Sequence, residues 1–130
     1  ALLTELAKVF EAQKKGQLAV ITSVAGDRGR RSNYAYGASK AAVSTFVEGL
    51  RGRLHSRGVS VIDIRPGLVD TPMTAHLPKG PLFSSPEKVA NRIVHGIDKN
   101  RSLIYAPGYW RWVMLAVRLI PTRLFRHLKF

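Results

Sequence analysis

The chain has 130 residues, 45% of them hydrophobic, which is enough for one domain with a modest core and excludes a chain disordered by composition. It contains no cysteine, which excludes disulfides and thiolate metal sites and suits a reducing compartment. The formal net charge of +13 favours anionic partners such as phosphates, acidic lipids or nucleic acid, without choosing among them.

The first third of the chain predicts a helix, a strand and a loop. Apolar residues recur at helical spacing as far as Gly16, where the helix should end; they are Leu2, Leu3, Leu6, Val9 and Phe10. The apolar run Leu18 to Thr22 is typical of a strand buried on both faces of a parallel sheet. Ser23 ends this strand, and residues 25–33, rich in Gly and Arg, predict a loop.

The middle of the chain predicts a second helix and a second strand. Residues 36–57 have a helical pattern, and Gly58 is typical of the position that follows a helix. The inward-facing positions of this helix are predicted to be Ala42, Val43, Phe46, Val47 and Leu50. Val59 to Ile64 predicts the second strand, which Pro66-Gly67 should end.

The remaining residues predict a long loop, a third helix and a third strand. Residues 68–85 contain several prolines, and we expect them to cover a bound substrate. Ser85 is predicted to cap a helix whose first residue is Pro86 and which runs to about Lys99. Leu103 to Ala106 predicts the third strand.

This alternation predicts an α/β fold: half of a Rossmann-like, doubly wound parallel sheet, with three strands and flanking helices. In such sheets, ligands bind beyond the carboxyl ends of the strands. Ser23 and Pro66-Gly67 both lie at carboxyl ends, and Tyr36 begins the helix between them. We therefore expect the chemistry of the protein at that edge.

Tyr36 and Lys40 carry the most specific chemical pattern. Four residues apart on one helix, they share a face, and an ammonium favours the phenolate, which would lower the pKa of the tyrosine from its usual value of about 10. Such a phenol can exchange a proton with a substrate, and Ser23 can hydrogen-bond the same oxygen. The spacing alone is not specific, because a tyrosine packed at a helix start beside a solvated lysine explains it equally well. The four histidines lack metal-site spacing, so no metal is expected.

Four stretches of the chain, in order and spacing, resemble the C-terminal half of a short-chain dehydrogenase/reductase. They are Ile21-Thr22-Ser23 with Ala25-Gly26, the Tyr-x-x-x-Lys motif Tyr36 to Lys40, the run Pro66 to Thr71, and the strand Leu103 to Ala106. The resemblance implies an oxidoreductase in which Tyr36 is the acid/base, Ser23 orients a carbonyl and Lys40 holds the nicotinamide ribose. It implies NAD(H) or NADP(H) as cofactor, bound by Tyr36, Lys40, Pro66, Gly67, Val69 and Thr71.

A narrower resemblance lies in Arg30 to Asn33, Met73 to Leu77 and the tail 106–130. These residues look like those of decaprenylphosphoryl-2-keto-ribose reductases, which implies reduction of a 2-keto sugar on a polyprenyl phosphate, a step in making cell-wall arabinan precursors. The family's glycine-rich phosphate loop has no counterpart after Ala1. We therefore expect a chain that is the C-terminal part of such a protein and is inactive by itself. We also expect a cytoplasmic homo-oligomer.

Residues 1–108 are thus assigned to the Rossmann domain and residues 109–130 to a basic amphipathic segment. Residues 101–130 hold six Lys or Arg and no acid. The apolar run Trp112 to Val117 is far shorter than the roughly 20 residues that span a bilayer. The segment suits either a membrane interface or a helix packed over the sheet with solvated arginines. The competing functional interpretation is a membrane-peripheral or nucleic-acid-binding module without catalysis.

Overall fold

A parallel three-stranded sheet forms the centre of the protein, as predicted. The strands are β1 (Gly16–Ile21), β2 (Val59–Pro66) and β3 (Leu103–Ala106), in the order β1-β2-β3. The register pairs Leu18 with Val61 and Ile64 with Ile104. The computed structural model describes residues 2–130. Because the three strands are parallel, their carboxyl ends lie at one edge of the sheet.

Within residues 2–130, five α-helices flank the sheet. They are α1 (Leu2–Gln13), α2 (Tyr34–His55), α3 (Pro86–Asp98), α4 (Trp110–Leu119) and α5 (Thr122–Phe125). The predicted start of α3 is confirmed, because the Ser85 side chain accepts a hydrogen bond from the backbone N–H of Lys88 at 3.2 Å. Gly58 follows α2 with a φ of +73°, the left-handed conformation that glycine adopts most readily.

The core has a separate layer on each face of the sheet. Helices α1 and α2 cover one face with Ala7, Val47, Leu50 and Leu54, which pack on Leu18, Val59 and Val61. Helix α3 covers the other face, where Ile93 and Ile97 pack on Ile62, Ile64 and Ile104. Neighbouring residues on β2, such as Val61 and Ile62, thus serve opposite layers, as the alternation of a strand requires.

Two burial predictions are wrong. The inward face of α2 runs through Ser44, Val47, Leu50 and Leu54, so Ala42 is exposed and Phe46 lies off this stripe with 45% of its surface exposed. Strand β1 is covered on one face only: Leu18 is buried, whereas Ile21 is 61% exposed. Helix α3 packs on β2 and β3, and its end meets this face of β1 at Gln17, whose Nε2 donates to the Ile97 carbonyl at 3.0 Å.

A charged network lies on the sheet between α2 and α4. Arg65 on β2 donates from Nε to Asp63 at 2.9 Å and from Nη1 to Asp27 at 3.0 Å. The Tyr105 hydroxyl donates to the other Asp27 oxygen at 2.6 Å, and the Thr22 hydroxyl donates to Asp63 at 2.6 Å. Burial, reinforced by the bond to Asp27, raises the pKa of Tyr105 above its usual value. One guanidinium therefore balances two buried carboxylates.

The C-terminal segment packs one face onto this body. Trp110 and Met114 of α4 are buried against Val24 and Tyr105. Arg28 binds the end of α4, donating from Nη1 to the carbonyls of Val117 at 2.6 Å and Ile120 at 2.7 Å. For this face of α4, these contacts support the prediction of a helix packed over the sheet.

The opposite face of the segment is exposed. Three apolar side chains of α4 face outward: Trp112 is 67% exposed, Leu115 45% and Leu119 72%. Within residues 2–130, no helix has the length and apolar character needed to cross a bilayer.

Arg65→Met should destabilise the protein by about 3–5 kcal/mol, because it leaves Asp27 and Asp63 buried without their cation. Arg53→Met is the matched control: it removes a more exposed pair with Glu11 and should cost less than about 1 kcal/mol. Urea unfolding of both variants measures the difference. Equal losses would contradict the role of Arg65.

Candidate active site at the carboxyl edge of the sheet

Ser23 lies just beyond the carboxyl end of β1. The strand continues into Thr22, whose N–H bonds the carbonyl of Ile64 at 2.7 Å and so ties this end to β2. The Ser23 side chain accepts a hydrogen bond from the Ala25 N–H at 3.1 Å and caps the short 3₁₀ turn Val24–Gly26. With that oxygen held in place, the hydroxyl hydrogen of Ser23 remains to be donated.

The turn after Ser23 and the start of α2 meet backbone to backbone. A Cβ added to Gly37 would lie 2.8 Å from the Ala25 carbonyl oxygen, and one added to Gly26 would lie 2.8 Å from the Ala41 nitrogen. These distances are too short for any side chain, so both glycines are required by the close approach. The contact joins the turn that Ser23 caps to the first turns of α2, the helix that contains Tyr36 and Lys40.

Tyr36 and Lys40 share one face of α2. Lys40 Nζ lies 5.6 Å from the centroid of the Tyr36 ring, as the four-residue spacing predicts. Tyr36 is 39% exposed and Lys40 is half-buried. The two side chains are therefore neighbours and open to a ligand, and their roles remain predictions.

Gly67, expected to bind the cofactor, lies against an internal ring, the indole of Trp110. The Gly67 N–H bonds the Ala106 carbonyl at 3.1 Å, and a Cβ at this position would overlap the indole of Trp110. Trp110 is buried, and its Nε1 has no hydrogen-bond partner among the described residues. The glycine is thus needed to seat α4 against the end of β2.

In the loop after Gly67, Val69 forms a β-bridge that does not use its own backbone N–H. Val69 forms an isolated bridge with Ser84. The Asp70 N–H donates to the Ser84 carbonyl at 2.9 Å, and the Ser84 N–H donates to the Leu68 carbonyl at 3.0 Å. The Val69 carbonyl accepts from the Thr74 hydroxyl at 2.6 Å, and the Thr71 N–H donates to the same hydroxyl at 3.2 Å. The bridge does not engage the Val69 N–H.

These residues fit the nicotinamide end of a dinucleotide cofactor. An exposed phenol and a half-buried ammonium lie side by side on α2, and the unused N–H of Val69 suits a carboxamide oxygen. Pro66 ends β2 and starts this loop, while Thr71 lies at its next turn. Because Trp110 fills the space beside Gly67, the backbone from Val69 onward is the part left to contact such a group.

Comparison with known proteins gives the family. The family model of short chain dehydrogenases matches residues 1–81, which include Ser23, Tyr36 and Lys40. The chain belongs to the short chain dehydrogenase family. This confirms the family predicted from the four stretches of sequence.

Individual relatives agree with this assignment. An uncharacterised oxidoreductase of Mycobacterium tuberculosis is 37% identical over 128 residues, 98% of this chain and 51% of the relative. One of Streptomyces coelicolor is 41% identical over 121 residues, 92% of this chain and 47% of the relative. The chain spans about half the length of these curated relatives.

A solved structure confirms the fold. A short chain dehydrogenase of Burkholderia cenocepacia, in complex with NADP, superposes with a TM-score of 0.81 at 19% identity. The match covers 95% of this chain and 53% of that one.

Three residues that shape the site were not identified from the sequence. Trp110 fills the space beside Gly67. Arg28 hydrogen-bonds the end of α4, and the Thr74 hydroxyl donates to the Val69 carbonyl. Trp110 carried a usable signal, because it follows the third strand closely and starts an apolar helix. Arg28 carried none, since it is one of several arginines in a loop.

Gly67→Ala should lower the free energy of unfolding by about 1–3 kcal/mol, because the new methyl group overlaps the Trp110 indole. Gly49→Ala is the control: its helical position in α2 has open space around it, and alanine there should stabilise by roughly 0.5–1 kcal/mol. Thermal or urea unfolding measures both. A neutral Gly67→Ala would show that the indole is not packed there.

Proposed function

We propose that the protein is a nicotinamide-dependent oxidoreductase that interconverts a ketone and a secondary alcohol. The observation that supports the proposal is the backbone contact between the turn Val24–Gly26 and the start of α2, because it joins the turn capped by Ser23 to the helix that contains Tyr36 and Lys40. Membership of the short chain dehydrogenase family supports it. The alternative of a nucleic-acid-binding module gains no support from the comparisons.

Each side chain has a distinct part in the proposed reaction. The Ser23 hydroxyl donates a hydrogen bond to the substrate carbonyl, while its oxygen stays fixed by the Ala25 N–H. The Tyr36 hydroxyl gives a proton to the same oxygen as negative charge develops on it. The neighbouring Lys40 ammonium favours the resulting phenolate.

The proposed cofactor is NAD(H) or NADP(H), which when bound supplies the hydride. Lys40 and Tyr36 would hold its ribose, and the Val69 N–H and Thr71 would receive the nicotinamide, in the loop that Pro66 and Gly67 begin. The NADP complex of the Burkholderia cenocepacia structure supports this choice.

The proposed substrate is the 2-keto group of a pentose carried on a polyprenyl phosphate. Its support is the resemblance in Arg30 to Asn33, Met73 to Leu77 and the tail. Arg30 and Arg31, which precede α2 by a few residues, are candidates for the phosphate by bidentate hydrogen bonds.

Tyr36→Phe should reduce kcat/KM on the order of 100- to 10,000-fold by removing the proton donor. Tyr34→Phe is a closely matched control: it lies two residues earlier on α2, is 71% exposed, and should keep activity within about twofold. The activity of both variants is measured as consumption of NADH or NADPH with ketone substrates, using the full-length gene product. Equal activity in the two variants would remove Tyr36 from the mechanism.

We further propose that the protein is cytoplasmic and that residues 109–130 make peripheral contact with a membrane surface. The support is the outward face of α4, where Trp112, Leu115 and Leu119 lie exposed beside Arg111 and Arg118. A lipid-linked substrate would be presented at such a surface.

Flotation with vesicles of phosphatidylcholine and phosphatidylglycerol tests the membrane contact. Trp112→Ser with Leu119→Ser should reduce the bound fraction several-fold, because both side chains would enter the lipid boundary. Val94→Ser, which removes an apolar side chain 56% exposed on α3, should leave it unchanged. Protein that stays in solution in every case would contradict the proposal.

A homo-oligomer is also proposed, supported by the exposed Phe46 and Ala42 on α2. Light scattering of the wild type and of Phe46→Ser tests it: the variant should dissociate, and a monomeric wild type would exclude the oligomer.

A further inference from the structure

Three arginines line one cleft at the free edge of β3. The cleft has a volume of about 480 Å³ and lies between the end of α3, β3 and the start of α4. Its polar and small lining residues are Arg92, Arg101, Arg111, Asn100, Ser102 and Gly108. No aspartate or glutamate is among the lining residues.

Arg92 is held in position before any ligand arrives. Its Nε donates to the Tyr105 carbonyl at 3.3 Å, and its guanidinium lies across Gly108, where an added Cβ would be 3.3 Å from Nη2. The side chain is half-buried. With Nε engaged, the two Nη groups remain as donors toward the cleft, and little side-chain entropy is left to lose.

Arg101 and Arg111 enter the cleft from opposite sides. Arg101 follows α3, and its N–H bonds the Gly96 carbonyl at 3.0 Å. Arg111 lies in the first turn of α4, with its guanidinium 5.9 Å from the Trp112 ring. None of the ion pairs formed within residues 2–130 involves Arg92, Arg101 or Arg111.

Three unpaired guanidinium groups around one concave space repel each other. An anion with several oxygens would offset this repulsion and accept hydrogen bonds from more than one guanidinium. Phosphate matches the forked geometry of arginine, and a carboxylate offers fewer oxygens to three donors. The arrangement therefore favours a phosphate group over a single carboxylate.

We propose that the cleft between Arg92, Arg101 and Arg111 binds the phosphate group of a ligand. The proposal is independent of the reductase function, because Ser23, Tyr36 and Lys40 line no part of the cleft. The phosphate can belong to a soluble phosphorylated compound or to a lipid headgroup, and the chemistry of recognition is the same.

Inorganic pyrophosphate is the soluble probe. Titration of the purified protein, followed by amide chemical shifts, should give saturable changes centred on Arg101, Ser102 and Gly108. Arg101→Gln with Arg111→Gln should weaken binding at least about tenfold, because two charge-assisted contacts are lost. Both side chains are exposed, and the spectrum itself shows that the variant is folded.

The charge-matched control is Lys15→Gln with Arg57→Gln, two exposed cations outside the cleft. This variant loses the same two charges and should bind pyrophosphate within about twofold of the wild type. Equal weakening in both double variants would overturn the proposal, because the attraction would then come from net charge alone.

Flotation with phosphatidylglycerol vesicles distinguishes the two sources of phosphate. Pyrophosphate binding that depends on Arg101 and Arg111 supports a soluble ligand. Flotation that depends on these arginines, without pyrophosphate binding, supports a lipid headgroup. Saturable shifts at other residues, or no effect of the cleft variant on either probe, would overturn the proposed site.

Discussion

The backbone contact between the turn Val24–Gly26 and the first turns of α2 is the constraint on which the proposed site depends. Gly26 and Gly37 let two main chains approach to distances that no Cβ tolerates. Ser23 follows the end of β1, and Tyr36 lies thirteen residues later in α2, so the position of one relative to the other depends on this packing and not on local sequence. The parallel sheet then places the Pro66 to Thr71 loop at the same edge.

The C-terminal segment is part of this arrangement and not an appendage to it. Trp110 packs against Gly67 at the end of β2, and Arg28, five residues after Ser23, bonds the last carbonyls of α4. The tail thus contacts both loops that form the proposed site. Its outward face combines exposed apolar residues with cations, and the arginine cleft adjoins its first turn. One face of α4 therefore packs against the loops of the proposed site, and its opposite face is exposed.

Much of the fold could be predicted because its signals are local. The apolar runs gave all three strands, and Ser85-Pro86 gave the start of α3 to the residue. Phe46 was misplaced because a helix with apolar residues on two faces does not reveal which face the sheet covers. The roles of Arg28 and Trp110 escaped prediction because they depend on residues distant in sequence. The Tyr36 and Lys40 pair was predictable, since the spacing on one helix fixes it.

The bond pattern of Arg65 restricts how positions 27, 63 and 65 can vary. Its Nε and Nη1 point to different carboxylates, so the side chain acts as a bridge between the loop after Ser23 and the strand beside it. A lysine would keep the positive charge but concentrates it on one nitrogen at the end of a flexible stem, which cannot span both acids. Replacing this cation alone therefore leaves two buried carboxylates without compensation, whereas replacing the two aspartates together with it removes that cost.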